Sequence, residues 1–351
     1  MSYQSDIFDQ PQLLHSLVQT YQGQDRLWSQ ITALGQANKK TVILTGMGAS
    51  FNALYPLWLY LNQQGCTALH IETSALIHYL PRLLATSGLL VGVSQSGESA
   101  EICRLVAEIQ DQRSSGQLSP TVLAVTNGRE NTLARHSDIS LATQAGTEVG
   151  IATKTYTSSM LLLHFVARAL IAPLQAQDFE RGDAIATSLA TYFHQKTAAL
   201  QAAALKLQNS SYIAIIGRGP ALATANNAAL MFKEGIRLPA EGYSGGQFRH
   251  GPREVITADI GVIVLTSPGP TLALNQRLAA DIQAYGGQLV CIGQPPGHDL
   301  NACHLPLPLV DEFLHPLLEI APIQLLIGQL ARQQNITLGE FRWSGKIVHQ
   351  E

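Results

Sequence analysis

The sequence predicts an α/β protein built from two duplicated, doubly wound domains, each around a parallel sheet. Three observations carry that expectation. Short apolar runs rich in β-branched residues alternate with helical segments through most of the chain. Several of those runs stop at a glycine-containing turn. The turns also recur at a near-constant offset: Gly46 to Gly217 is 171 residues, and Gly97 to Gly269 is 172. Strands alternating with helices imply a parallel sheet covered on both faces. A repeated strand–turn unit at a fixed offset implies duplication. A length of 351 residues also favours two domains, at roughly 150 residues each.

Taken in order, residues 8–37 carry apolar side chains at helical spacing, as in Leu13, Leu14, Leu17 and Val18, and read as two helices. Thr41-Val42-Ile43-Leu44-Thr45 reads as a buried parallel strand that runs into Gly46-Met47-Gly48-Ala49-Ser50, followed by a helix over 51–61. Further strands are expected at 68–72, 89–93, 121–126 and 139–143, with a helix over 100–109. The second half repeats the pattern. Strands at 212–216, 261–265 and 288–292 lead into Gly217-Arg218-Gly219-Pro220, Thr266-Ser267-Pro268-Gly269 and Gly293. The Ala-, Leu- and Gln-rich stretch 184–207 reads as a helical linker, and 320–331 as a core helix. The expected boundaries are an N-terminal helical segment 1–37, a first domain 38–175, a linker 176–207, a second domain 208–335 and a tail 336–351.

Composition excludes several classes of function. Apolar residues make up 46% and charged residues 13%, so little charge is available to solvate the surface, and part of that surface is expected in a subunit interface. A net charge of −3 gives no global attraction for nucleic acid or anionic lipid, so any anion site must be local. The four cysteines form no C-x-x-C pair, which supports neither zinc nor redox chemistry and suits a reducing cytosol. The N-terminus has no basic region or apolar run, so it does not read as a signal peptide. The 320–331 stretch is too short to cross a bilayer. The expectation is a cytoplasmic protein without metal or cofactor.

The strongest motif is Ser94-Gln95-Ser96-Gly97-Glu98-Ser99, between a strand and a helix. A helix N-terminus exposes unpaired N–H groups and the positive end of a dipole. Small hydroxyl residues add donors, and Gly97 permits close backbone approach, which together make a phosphate cradle without lysine or arginine. The plain alternative is a helix cap, but five polar side chains in six residues exceed what a cap requires. Gly46-Met47-Gly48-Ala49-Ser50 lacks the third glycine of a dinucleotide fingerprint, Phe51 standing in its place. It reads as a tight turn with Ser50 as a second phosphate donor. Glu234 follows Lys233 on a helix over 226–237, a pair usually found on a solvated face. His250 lies in a loop bounded by Gly245, Gly246, Gly251 and Pro252, where an imidazole can reach a ligand and transfer protons at neutral pH. On composition alone, Lys346 is a tail charge.

With these residues in view, the chain resembles the sugar isomerase (SIS) family, and within it the isomerase half of glucosamine-6-phosphate synthases. The resemblance runs from about Thr41 to Glu351. It is most specific at Ser94-Gln95-Ser96-Gly97-Glu98, at Gly146-Thr147-Glu148-Val149-Gly150-Ile151-Ala152, at Ala240-Glu241 with His250-Gly251-Pro252, and at the terminal lysine. It implies two doubly wound domains with five-stranded parallel sheets in a homodimer that binds a sugar phosphate. The phosphate-binding positions fall on Ser50, Ser94, Gln95, Ser96 and Ser99. The enolising carboxylate falls on Glu234, the ring-opening histidine on His250, donated by the neighbouring subunit, and the Schiff-base lysine on Lys346. Ile151 and Gly345 match backbone positions that line the sugar.

Met231 stands where the synthases carry a second lysine, Gln247 where they carry a glutamate, and Ala152-Thr153-Lys154 is one residue shorter. The glutaminase domain of the synthases has no counterpart before the first strand, so glutamine is not expected as the ammonia source. The expected activity is that of a deglycase, deaminase or aldose–ketose isomerase on a 6-phosphosugar. The alternatives are a non-catalytic sugar-phosphate-binding regulator and a synthase-like isomerase using free ammonia.

Overall fold

The computed structural model describes residues 2–37, 41–195, 198–297, 300, 302–343 and 345–350. Residues 38–40, where the first domain is expected to begin, lie outside the described residues, as do 196–197 within the expected linker. In chain order the elements are α1 (Tyr3–Gln22), α2 (Asp25–Ala37), β1 (Val42–Gly46), α3 (Gly48–Ala53), α4 (Tyr55–Gln63), β2 (Ala68–Glu72), α5 (Thr73–Tyr79), α6 (Arg82–Thr86), β3 (Leu89–Ser94) and α7 (Ala100–Ser114). Next come β4 (Thr121–Thr126), α8 (Thr132–Arg135), β5 (Ile139–Ala142), α9 (Lys154–Ile171), α10 (Ala176–His194) and α11 (Ala198–Leu207). The second half holds β6 (Tyr212–Gly217), α12 (Ala221–Ile236), β7 (Ala240–Ser244), α13 (Gly245–Arg249), β8 (Ile260–Thr266), α14 (Leu272–Ala284), β9 (Gln288–Gly293), β10 (Cys303–Pro306) and α15 (His315–Gln333).

Two five-stranded parallel sheets result, ordered β2-β1-β3-β4-β5 and β10-β9-β8-β6-β7. The order reverses beside the first strand of each sheet, between β1 and β3 and between β6 and β8. In doubly wound sheets the crevice at the carboxyl ends of such a strand pair receives ligands. The register is regular, with Val42 opposite Leu89 and Gly46 opposite Val93 in the first sheet. Tyr212 stands opposite Ile260 in the second.

The two sheets belong to two compact units. One unit contains 12–147, 154–184 and 341–351; the other contains the residues before Gln12, Glu148–Thr153 and 185–340. In the first sheet β1 and β3 are buried along their whole length, as expected for strands covered on both faces. Ile43, Leu90 and Val122 pack against Leu76, Leu84, Leu105 and Ile109 from α5, α6 and α7. Close approach of α2 to α9 depends on Gly35, since a Cβ there would lie 1.9 Å from the Leu170 carbonyl oxygen. In the second sheet Ala214, Ile216, Val262, Val264 and Cys291 pack against Phe248, Leu278 and Ile282.

Two strands differ from the sequence expectation. Ala240–Ser244, absent from the expected strands, is β7, and Cys303–Pro306, also absent from them, is β10. Both lie at edges of the second sheet and are only partly buried, so neither carries the continuous apolar run that marks a central strand. The cysteines are free thiols. No helix among the described residues is long and apolar enough to cross a membrane.

Candidate functional site

In the first unit, β1 and β3 deliver their two loops to the point where the strand order reverses. A Cβ on Gly46 would lie 2.8 Å from the Val93 carbonyl oxygen, so glycine is what lets the loops approach. The β1 loop turns at Gly48, whose φ is +51°, and carries Ser50 half-buried on α3. Phe51, next along α3, stacks on the His70 ring at 3.8 Å, and His70 Nε2 bonds to the Phe51 carbonyl at 2.9 Å. Burial holds the His70 imidazole below its ordinary pKa.

The β3 loop is internally braced. Ser94 Oγ accepts from the Gly97 N–H at 3.0 Å, and Ser96 Oγ from the Glu98 N–H at 3.1 Å. Each hydroxyl keeps a proton to donate elsewhere. The Gln95 carbonyl accepts from the Asn127 N–H at 3.1 Å. Gly97 has φ +67°, a left-handed conformation, and a Cβ there would lie 2.0 Å from Asn131 Oδ1.

Glu98 turns away from the crevice. Its carboxylate accepts from the Thr132 N–H at 2.6 Å and the Thr132 hydroxyl at 2.8 Å. Those bonds, the backbone one foremost, hold its pKa below the usual carboxylate range. Ser99 is the N-cap residue of the 15-residue helix α7, yet its side chain makes no capping bond. Its Oγ is buried and has no hydrogen-bond partner among the described residues. Ser94, Gln95, Ser96 and Ser99 are thus brought together at a helix N-terminus, with the Glu98 carboxylate engaged by Thr132. This arrangement suits an oxyanion.

The tail reaches the same place. The Ala100 N–H at the start of α7 donates to the Val348 carbonyl at 3.0 Å. Gly345 and Lys346, a few residues earlier, are exposed. The sequence reading missed this carbonyl, and it missed Asn127, Asn131 and Thr132. Only Asn131 had a local signal, as a side chain that caps α8 through the Ala134 N–H at 2.9 Å.

In the other unit, Glu234 lies half-buried on α12, while Lys233 points to solvent. Gly235 allows α12 to close on Ile151: a Cβ there would lie 2.9 Å from Ile151 Cδ1. Ile151 is buried in a segment fixed by Glu148, which accepts from the Thr153 N–H at 2.8 Å and its hydroxyl at 3.0 Å. Glu234 thus directly precedes the residue of α12 that packs on Ile151. Met231, one turn earlier on α12, is buried. His250 ends α13, exposed, with its N–H donated to the Gln247 carbonyl at 3.0 Å. Among the described residues no cluster of histidine, cysteine, aspartate and glutamate could hold a metal ion.

The chain is thus a doubly wound α/β protein that carries a hydroxyl-rich loop at the topological switch point of its first sheet. The SIS domain model matches residues 37–169 and 206–324, so the chain belongs to the SIS domain family. Among curated relatives, the glutamine–fructose-6-phosphate aminotransferase of Zymomonas mobilis is 27% identical over 93% of this chain and 55% of the relative. That of Pyrobaculum aerophilum is 30% identical over 92% and 53%. The chain thus spans about half the length of these relatives.

Among solved structures, the C-terminal domain of glucosamine-fructose-6-phosphate aminotransferase from Francisella tularensis superposes with a TM-score of 0.84 at 21% identity, covering 97% of this chain and 98% of that one. Glucosamine-6-phosphate deaminase from Thermotoga maritima gives 0.79 at 18%, covering 99% of each. Tagatose-6-phosphate ketose/aldose isomerase from Escherichia coli gives 0.80 at 18%, covering 97% of each. At these identities the structural likeness establishes the fold.

Proposed function

We propose that the chain is an enzyme of amino-sugar or ketosamine metabolism that acts on a 6-phosphosugar as a deglycase, deaminase or aldose–ketose isomerase. The observation that carries this reading is the buried, unpartnered Ser99 hydroxyl at the N-terminus of α7. It lies in a loop whose other hydroxyls are braced and whose one carboxylate is turned away. Phosphate is the oxyanion that such a loop accepts without a cationic side chain. The names of the relatives and of the fold neighbours, each an enzyme of a hexose 6-phosphate, support the same reading.

In this mechanism Ser50, Ser94, Gln95, Ser96 and Ser99 hold the phosphate. His250 exchanges a proton with the ring oxygen as the sugar opens. Glu234 removes the proton from one of the carbons C1 and C2 and returns it to the other. The Lys346 amine condenses with the carbonyl of the open chain to an imine, the carbonyl oxygen leaving as water that returns when the imine is hydrolysed, and Ile151 and Gly345 line the sugar with backbone. A carboxylate base beside a carbonyl accomplishes this transfer directly.

The test is exchange of a carbon-bound proton with solvent deuterium, at C1 of fructose 6-phosphate and at C2 of glucosamine 6-phosphate, followed by NMR. Glu234→Gln keeps size and hydrogen bonding but cannot take the proton. Exchange is expected to fall by about a hundredfold or more while binding persists. If the wild type shows no exchange with any phosphosugar, the chain is a sensor and the enzymatic reading fails.

A further inference from the structure

The second unit repeats the strand reversal, but its turns are chemically different. After β8 comes Thr266-Ser267-Pro268-Gly269-Pro270-Thr271, at the place of the serine loop. Pro268 and Pro270 have no N–H to give an anion. The carboxyl of Glu312 lies on Gly269, where a Cβ would come within 2.4 Å of Glu312 Cδ. This turn repels a phosphate.

After β6 comes Gly217-Arg218-Gly219, at the place of Gly46-Met47-Gly48. The Arg218 guanidinium fills the volume that a side chain at 245 would need: a Cβ on Gly245 would lie 2.6 Å from Nε, 2.9 Å from Cζ and 3.0 Å from Nη2. Nε and Nη2 are buried and have no hydrogen-bond partner among the described residues. Among the described residues, the charge that acts on Arg218 is another cation, Arg249 at the end of α13. Burial first and Arg249 second push the guanidinium below its ordinary pKa. A buried donor without an acceptor costs about 1–3 kcal/mol, and more when it is charged. Native structures leave few such groups unexplained.

We propose that Arg218, with Arg249 beside it, is an oxyanion site of the second domain, which takes the phosphate or carboxylate group of a small molecule. Nε and Nη2 form the edge of the guanidinium that grips an oxyanion with two parallel bonds. Gly245 lies against that edge and Gly246 nearer Nη1, where a Cβ would be 3.7 Å away, and two successive glycines can turn their shared peptide aside at little steric cost. The site is separate from the serine loop and does not rest on the reading of that loop. The duplicated halves thus differ in their means of binding: hydroxyls and helix amides in one, a guanidinium pair in the other.

The experiment uses phosphate-dependent thermal stabilisation of the full chain, with acetate as a second probe. Ser96→Ala with Ser99→Ala disables the serine loop. This double variant is expected to keep a rise in Tm with phosphate, acetate or both. Adding Arg218→Gln is expected to weaken the remaining response by about tenfold or more in apparent affinity. Gly245→Ala in the same background keeps the charge but displaces the guanidinium, and is expected to cause the same loss. If Arg218→Gln does not fold, Arg218→Lys replaces it, keeping the charge without the fork, and a clear drop is still expected. The proposal is overturned if the double variant responds to neither anion, or if its response survives both the Arg218 and the Gly245 changes. The serine-loop reading is judged separately, by whether the double variant loses fructose 6-phosphate.

Discussion

Ser99 occupies an N-cap position without capping: its backbone is extended, and its hydroxyl is buried without a partner. Ser96 differs, because its oxygen already accepts from the Glu98 N–H and only its proton remains to be used. Replacing both with alanine is expected to weaken phosphosugar binding while the fold survives, each charge-assisted bond contributing roughly 1.5–3 kcal/mol. Calorimetric titration with fructose 6-phosphate checks this, and unchanged affinity removes the cradle assignment. His70 makes a second expectation at this scale. Its pKa is depressed in the folded state, chiefly by burial, so protonation favours the unfolded chain. The stability it contributes is complete above the unfolded value of about 6.5 and is lost as pH falls from there through the lower folded value. His70→Gln is expected to flatten the decline of Tm between about pH 7 and pH 5. A slope identical to wild type means that His70 does not titrate in that window.

At the scale of elements, the serine loop is held by the next strand–helix connection rather than by itself. Glu98 bonds to Thr132, the Gln95 carbonyl accepts from Asn127, and Asn131 fills the space beside Gly97 while capping α8. Gly97→Ala must hold a Cβ in a left-handed conformation and also drive Asn131 from its cap. Together these are expected to cost about 2–4 kcal/mol, read as a lower urea midpoint with unchanged slope. Asn131→Ala loses the cap, about 1 kcal/mol, and also the bonds that Nδ2 donates to Thr126 Oγ1 at 3.0 Å and to the Gly128 carbonyl at 3.1 Å, so it is expected to cost more than a cap alone. The loop itself was legible because its polar side chains are consecutive and follow an apolar strand. Its supports were not, because they lie about thirty residues away and meet the loop only once β3 and β4 pair in register. The same distinction separates the strands. Central β1, β3, β4, β6, β8 and β9 announce themselves as apolar runs. Edge β7 carries Glu241 and Gly242, and edge β10 carries His304 and ends on Pro306. Gly242 is there for packing: a Cβ would lie 2.4 Å from Asn226 Oδ1 and 2.7 Å from its backbone. Nothing in the local pattern of Ala240–Ser244 signals that contact.

At the scale of the whole molecule, the predicted site residues are divided between two compact units, the serine loop and Lys346 in one, Glu234 and His250 in the other. The chain has little charge for its size, at 13%, which suits burial of part of its surface in a homodimer. His250 is exposed at the end of a short helix, free of any fixed role in its own core. If it serves the site of a neighbouring copy, a functional centre combines Glu234 of one chain with His250 of another. Two variants, Glu234→Gln and His250→Ala, are then each inactive alone. In a mixed dimer one centre carries both lesions and the other carries neither. Random reassortment puts half the dimers in that mixed state, each with one intact centre of two, so about a quarter of wild-type activity should return on mixing. Sedimentation velocity on the same samples shows whether dimers form and exchange. Exchanging dimers that recover no activity place both groups in one chain. A monomer with full activity removes the shared centre altogether, and the ring-opening acid must then be sought among residues facing Glu234 within its own unit.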